Sequence, residues 1–139
     1  EMEQGRTEEA VSWLRRAIAL VPNDQDTLYQ LTLALHRLGQ DQEAERYQSR
    51  FKELDETSRA AKATLDKILA QPHNASLRCD MGKLLLRIDK TQQAERWFLS
   101  ALHEDPEHRP THQALAEYYE KKSNPPARER AEFHRRKAG

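Results

Sequence analysis

Apolar side chains recur along this chain at helical intervals, separated by short polar breaks marked by proline or glycine. Ala10, Leu14, Ala17 and Pro22 repeat in the spacing of Ala94, Phe98, Ala101 and Pro106. A small, a large and a small residue at intervals of four and three share one helical face, and the proline closes the helix. Thr7 with Glu8 and Glu9 marks a helix start, Ala10 to Ala19 carries the apolar face, and Val21-Pro22-Asn23-Asp24 ends it. A second helix is predicted from about Asp26 to Leu38, with Leu28, Leu31 and Leu35 on one side and Gly39 as its stop. After Pro72-His73-Asn74 another carries Leu77, Met81, Leu84, Leu85 and Ile88. The next holds Ala94, Trp97, Phe98, Ala101 and Leu102 and stops at Asp105-Pro106. A sixth spans about Pro110 to Lys122, and Asn124-Pro125-Pro126 precedes a last short, basic helix ending at Gly139. With no strand pattern, the expected fold is all-α, of about seven helices.

The third helix has its own character. From Asp41 to Gln71 there is neither Gly nor Pro, and Ala44, Tyr47, Phe51, Leu54, Ser58, Ala61, Leu65 and Ile68 alternate steps of three and four. That stripe predicts one helix of about 31 residues, about 45 Å long. The alternative is two helices broken near Asp55 to Ser58, where Asp and Ser could cap a restart.

The period of the pattern is regular on either side of this segment. Ala44 stands 34 places after Ala10, and Pro106 stands 34 after Pro72. Trp13, Tyr47 and Trp97 each precede the large template position by one. A helix-turn-helix period of 34 residues is that of the tetratricopeptide repeat (TPR), which the chain resembles over nearly its whole length. The family's first-helix positions are matched by Leu31, Thr32 and Leu35, by Met81, Gly82 and Leu85, and by Leu115, Ala116 and Tyr119. Ala94 follows Ala44 by 50 residues, so 16 extra residues interrupt the array (50 − 34). The resemblance implies a right-handed solenoid of antiparallel helix hairpins in one domain, 1–139. Its parts are a partial first repeat at 5–24, a repeat with an extended second helix at 25–72, a repeat at 75–108, and a C-terminal repeat with capping helix at 109–139. A chain that opens in mid-repeat reads as a piece of a longer protein.

Composition supports thin helix packing over a thick globular core. Of 139 residues, 33% are charged, with 23 basic balancing 23 acidic. The mean hydropathy is −1.01. Zero net charge removes the usual electrostatic argument for nucleic acid or an anionic membrane as partner. No membrane span or secretory signal is visible, which leaves the compartment open with the cytoplasm slightly favoured. Cys79 is the single cysteine, so no internal disulfide can form.

In the family the ligand-facing surface comes from the first helix of each repeat. Carried over, the groove positions are Asp26, Tyr29, Leu33, His36 and Arg37; Ser76, Cys79, Lys83, Leu86 and Arg87; and Pro110, Gln113, Glu117, Glu120 and Lys121. The resemblance implies a protein-interaction module or scaffold that holds a peptide or partner helix, with Tyr29, Leu33, His36, Arg37, Cys79, Lys83, Leu86, Arg87, Gln113 and Glu117 as contact residues. An ordinary solvated helix face is the plain alternative for these positions. The family's clamp for chaperone C-terminal carboxylates needs Lys, Asn and Arg at set places; Tyr29, Leu33, Cys79, Lys83, Gln113 and Glu117 stand there instead, which argues against that partner.

Other clusters have bland readings. Trp13, Tyr47 and Trp97 fit packing between repeats, with an expected loss of about 3–5 kcal/mol on replacing Trp97 by Ala. His103, His108 and His112 lie in a segment broken by Pro106 and Pro110, so no regular helix aims all three at one metal. No nucleophile motif or phosphate loop suggests an enzyme, and no cofactor or metal is expected. Cys79 reads as a semi-exposed structural thiol. Arg128, Arg130, Arg135, Arg136 and Lys137 fit a cationic helix end and a polar cap. Asn74-Ala75-Ser76 matches a glycosylation sequon, a pattern that often arises by chance. The alternative function is self-association through the N-terminal end near Trp13 and Ile18, or along the long helix.

Overall fold

The computed structural model describes residues 2–139. Among these the chain forms seven α-helices and no strand: α1 Met2–Leu20, α2 Gln25–Arg37, α3 Asp41–Ala70, α4 Ala75–Arg87, α5 Thr91–Glu104, α6 Arg109–Glu120 and α7 Pro125–Ala138. The helices gather into two compact units, 1–58 and 59–139, divided within α3.

The predicted breaks stop the helices for identifiable reasons. At the end of α2, Gly39 adopts a φ of +75°. Its N–H reaches the His36 carbonyl at 3.0 Å and the Gln40 N–H reaches that of Leu35 at 2.9 Å, a Schellman cap. The end of α4 is built the same way with an L-residue in the strained place: Asp89 has φ +60°, and Lys90 N–H meets the Leu85 carbonyl at 3.0 Å. Asn74 caps the start of α4 by accepting from Leu77 N–H at 3.2 Å, while its amide donates to Gln71 Oε1 at 3.0 Å. The would-be sequon asparagine therefore has a structural task. Asn124 likewise accepts from Ala127 N–H at 2.9 Å, with Pro125 and Pro126 filling the first helical positions of α7.

Two expectations about helix starts and stripes need correction. Thr7 does not open a helix: α1 already runs from Met2, and the Thr7 hydroxyl donates back to the Glu3 carbonyl at 2.9 Å. A threonine satisfied one turn back can sit inside a helix, which the capping pattern alone does not distinguish. In α3 the helix is unbroken through residues 55–58, but the buried line passes through Leu54, Thr57 and Ile68, with Ser58 exposed and Leu65 40% exposed. A seam of 3.5-residue period drifts about 20° per heptad around a straight α-helix, so the covered face moves off the apolar stripe. Thr64, half-buried, meets its own needs by donating to the Ala60 carbonyl at 2.8 Å.

In the first unit, Val11 of α1, Leu31, Ala34 and Leu35 of α2, and Ala44 of α3 form the core, with Leu14, Ile18, Leu38 and Tyr47 packed around it. Arg15 grips Glu43 with two hydrogen bonds at 3.0 and 2.7 Å, tying α1 to α3. Arg50 does the same for the α1–α2 turn through Asn23 Oδ1, at 3.0 and 2.6 Å.

In the second unit, α4 pairs with α5 and α6 with α7, and α6 also touches α4 and α5. The template residues Ala94, Phe98 and Ala101 are fully enclosed, whereas Ala10 of the matching copy in α1 is exposed. Gly82 allows this closeness: a Cβ built there would lie 2.5 Å from the Phe98 ring. The Thr111, Leu115 and Ala116 side chains of α6 complete the core.

Candidate functional site

Each unit contains a hollow walled by predicted groove residues. In the second unit, Lys83 and Leu86 of α4 face Pro110, Gln113, Ala114, Glu117 and Tyr118 of α6, with Lys121 at its end, across a cavity of about 530 Å³. Asp89 and Thr91 close one end and Lys122 joins the wall. Helical spacing explains the gathering. Lys83 and Leu86 are three apart on one face of α4, and Gln113 and Glu117 on α6 are followed at the next step of four by Lys121, the residue that caps its end.

Charge in this hollow is mixed. Lys83, Lys121 and Lys122 stand against Asp89 and Glu117, with Leu86, Pro110 and Ala114 as apolar floor. Lys122 places its Nζ 4.7 Å from the centre of the Tyr118 ring. A hydrogen bond to the Tyr118 hydroxyl raises the Lys122 ammonium pKa above the ordinary lysine value, so the cation persists at all physiological pH. The cavity thus brings three cations, two carboxylates and apolar side chains together.

The hollow in the first unit is smaller and almost wholly apolar. Tyr29, Thr32, Leu33 and His36 of α2 meet Gln48, Phe51 and Lys52 of α3 around about 220 Å³. Tyr29 and Leu33 are 52% and 42% exposed, and the Tyr29 and Phe51 rings lie 5.8 Å apart. His36 is held at one end by Asp41, 2.9 Å from its Nδ1.

Seven of the ten expected contact residues therefore line these hollows: Tyr29, Leu33 and His36 in one, Lys83, Leu86, Gln113 and Glu117 in the other. Arg37 and Arg87 line neither; each is the last residue of its helix and exposed. Cys79 is buried, 2% exposed, and not the semi-exposed thiol expected. It lies one turn before Lys83, where Thr111 of α6 closes over it with a hydrogen bond; burial pushes the thiol pKa up and Thr111 draws it partly down. Ser76, a further groove position, bonds His108 Nε2 at 3.2 Å, and His108 Nδ1 meets Thr111 Oγ1 at 2.7 Å, so this end of the groove is stitched shut.

Of the aromatic row, Tyr47 packs on the first core as expected, but the two tryptophans are less covered. Trp13 is 62% exposed with Arg16 over its ring, and Trp97 is half-buried with the Arg78 guanidinium 5.9 Å from its ring centre. The position before the large template residue sits at the edge of the buried face, where the following residue, Phe98, takes the core. The histidines are used one by one: His73 pairs with Glu104 at 2.9 Å, and His112 pairs with His134 of α7. Among the described residues no group of three or more metal-binding side chains converges, and no helix is long and apolar enough to cross a membrane.

This architecture of helix hairpins with small residues at their crossings defines a helical-repeat protein. Residues 1–39 match the family model described as TPR repeat, so that part of the chain is similar to the tetratricopeptide repeat. No curated protein matches it. Among solved structures, MamA of Desulfovibrio magneticus RS-1 from residue 41 to its end is similar, with 22% identity and a TM-score of 0.46, covering 99% of this chain and 86% of that one. A structure named MamA RS-1 ArsTM double mutant gives the same identity and TM-score, with 99% and 85% covered.

Proposed function

We propose that the chain binds a peptide or partner helix of another protein in the hollow between α4 and α6. The observation that carries this reading is the meeting of Lys83 and Leu86 with Gln113, Glu117 and Lys121 around one cavity of about 530 Å³. A floor of apolar groups with a rim of both charges suits a segment that pairs its backbone and a few side chains with fixed polar groups. Charge reversal tests it: Lys83→Glu with Lys121→Glu abolishes partner capture, whereas Arg37→Glu with Arg87→Glu, outside both hollows, leaves it intact. The opposite ranking contradicts the proposal.

Self-association is the second reading, favoured by one observation on α1. Trp13 is 62%, Leu20 84% and Val21 57% exposed, a concentration of apolar surface at one end of the first unit. Ile18 does not belong to that surface, because it packs inward on the α1–α2 core.

A further inference from the structure

We propose that the seam between α6 and α7 is an acid-sensitive latch, held closed by the neutral His112–His134 pair and released when a proton enters it. The two residues are 2% and 7% exposed, and their Nδ1 atoms lie 2.7 Å apart. The protons can be placed by elimination. His112 Nε2 is 2.7 Å from the Pro106 carbonyl, which can only accept, so this nitrogen carries a hydrogen. A neutral His112 then offers a bare Nδ1, and His134 must donate its own Nδ1–H to it.

A proton on His112 breaks that hydrogen bond, and one on His134 keeps it but charges a buried ring. A further proton on His112 Nδ1 would set two N–H donors head to head at 2.7 Å. On His134 Nε2 it would charge a ring stacked on Tyr119, 5.8 Å away at 12°, and edged by Phe133 at 5.0 Å. Charging a buried group without a compensating partner is costly. The neighbouring charges give no relief. Arg130 lies over Tyr119 and adds positive potential; Glu95 of α5 accepts the Tyr119 hydroxyl; Glu120 is held by Arg135, and Glu107 by Lys137.

The latch matters because, beside the exposed Arg135–Glu120 and Lys137–Glu107 pairs, α7 buries few side chains. Its buried residues are Ala127, Ala131 and His134, so the imidazole is the largest enclosed side chain on the helix. Burial, and secondarily His112, hold the His134 pKa down to about 4. A folded-state value below that of the unfolded chain means stability fully present above about pH 6.5 and lost as pH falls through the folded value.

Hydrogen exchange on the full chain tests this, with rates corrected for intrinsic chemistry at about pH 7 and about pH 4.5. The expected result is that amides of 125–138 exchange at least about tenfold faster at the lower pH while those of α4 and α5 keep their protection. His134→Asn, whose side-chain N–H can replace the donor and cannot take up a proton, removes the acceleration; carboxylate titration is common to both proteins. No acceleration, equal acceleration in His134→Asn, or simultaneous loss of protection in α4 and α5 overturns the proposal. Should His134→Asn not fold at neutral pH, imidazole titration of the unmodified chain by NMR decides. Rings that stay neutral until α7 loses protection support the latch, and rings that titrate while α7 stays protected overturn it.

Discussion

Phe98 of α5 lies so close over Gly82 of α4 that a Cβ there would come within 2.5 Å of its ring. Phe98 is fully buried, so the ring has no free space into which to retreat. Gly82→Ala should therefore cost about 1–3 kcal/mol by overpacking, although alanine favours helices in general. Chemical denaturation measures the loss. Phe98→Leu in the same chain should recover part of it, and a stabilised Gly82→Ala protein would contradict the contact.

Gly39 is needed for its backbone and not for space. Its φ is +75° and nothing lies within 4 Å of a Cβ built on it. Gly39→Ala should cost about 1 kcal/mol through left-handed strain alone. A shift in the denaturation midpoint with unchanged slope is the expected signature.

The three aromatic positions before the large template residues differ from the core positions beside them. Phe98→Ala should cost about 3–5 kcal/mol, as for a fully buried large side chain. Trp97→Ala should cost less, because that side chain is only partly buried. Trp13→Ala should fall within about 0.5 kcal/mol of the starting protein. Thermal unfolding of the three variants gives the ranking, and a Trp13 effect as large as that of Phe98 would show that its face is covered.

The exposed α1 surface makes a prediction about assembly. If Trp13, Leu20 and Val21 join two copies, light scattering shows a mass that rises with concentration, and Trp13→Glu returns it to that of the monomer. A concentration-independent monomer removes self-association from consideration.

Local rules made much of the fold readable from the residues. Proline, glycine and asparagine at Pro22, Gly39, Asn74 and Asn124 mark real helix ends because each acts within a few residues of itself. The unbroken α3 was readable for the same reason, as no residue from Asp41 to Gln71 stops a helix. Burial was less readable, since it depends on which neighbour covers a face. Ser58 and Leu65 lie on the apolar stripe of α3 yet outside its buried line, and Ala10 repeats the pattern of Ala94 without its cover. In the site, steps of three and four put Lys83 with Leu86 and Gln113 with Glu117 on shared helix faces, and these faces line one hollow. They could not show that Cys79 would be buried. The His112–His134 pair had no signal in sequence, because 22 residues and a turn separate two rings that only the α6–α7 docking brings together.

Site-specific photo-crosslinking tests the groove reading at its centre. A photoreactive residue in place of Gln113, which lines the α4–α6 hollow, should join the chain to a partner protein, and Lys83→Glu with Lys121→Glu should abolish that product. The same probe at Arg96, on the exposed surface of α5, should give none. Equal crosslinking from both places, or a Gln113 product that survives charge reversal, would contradict binding in the hollow between α4 and α6.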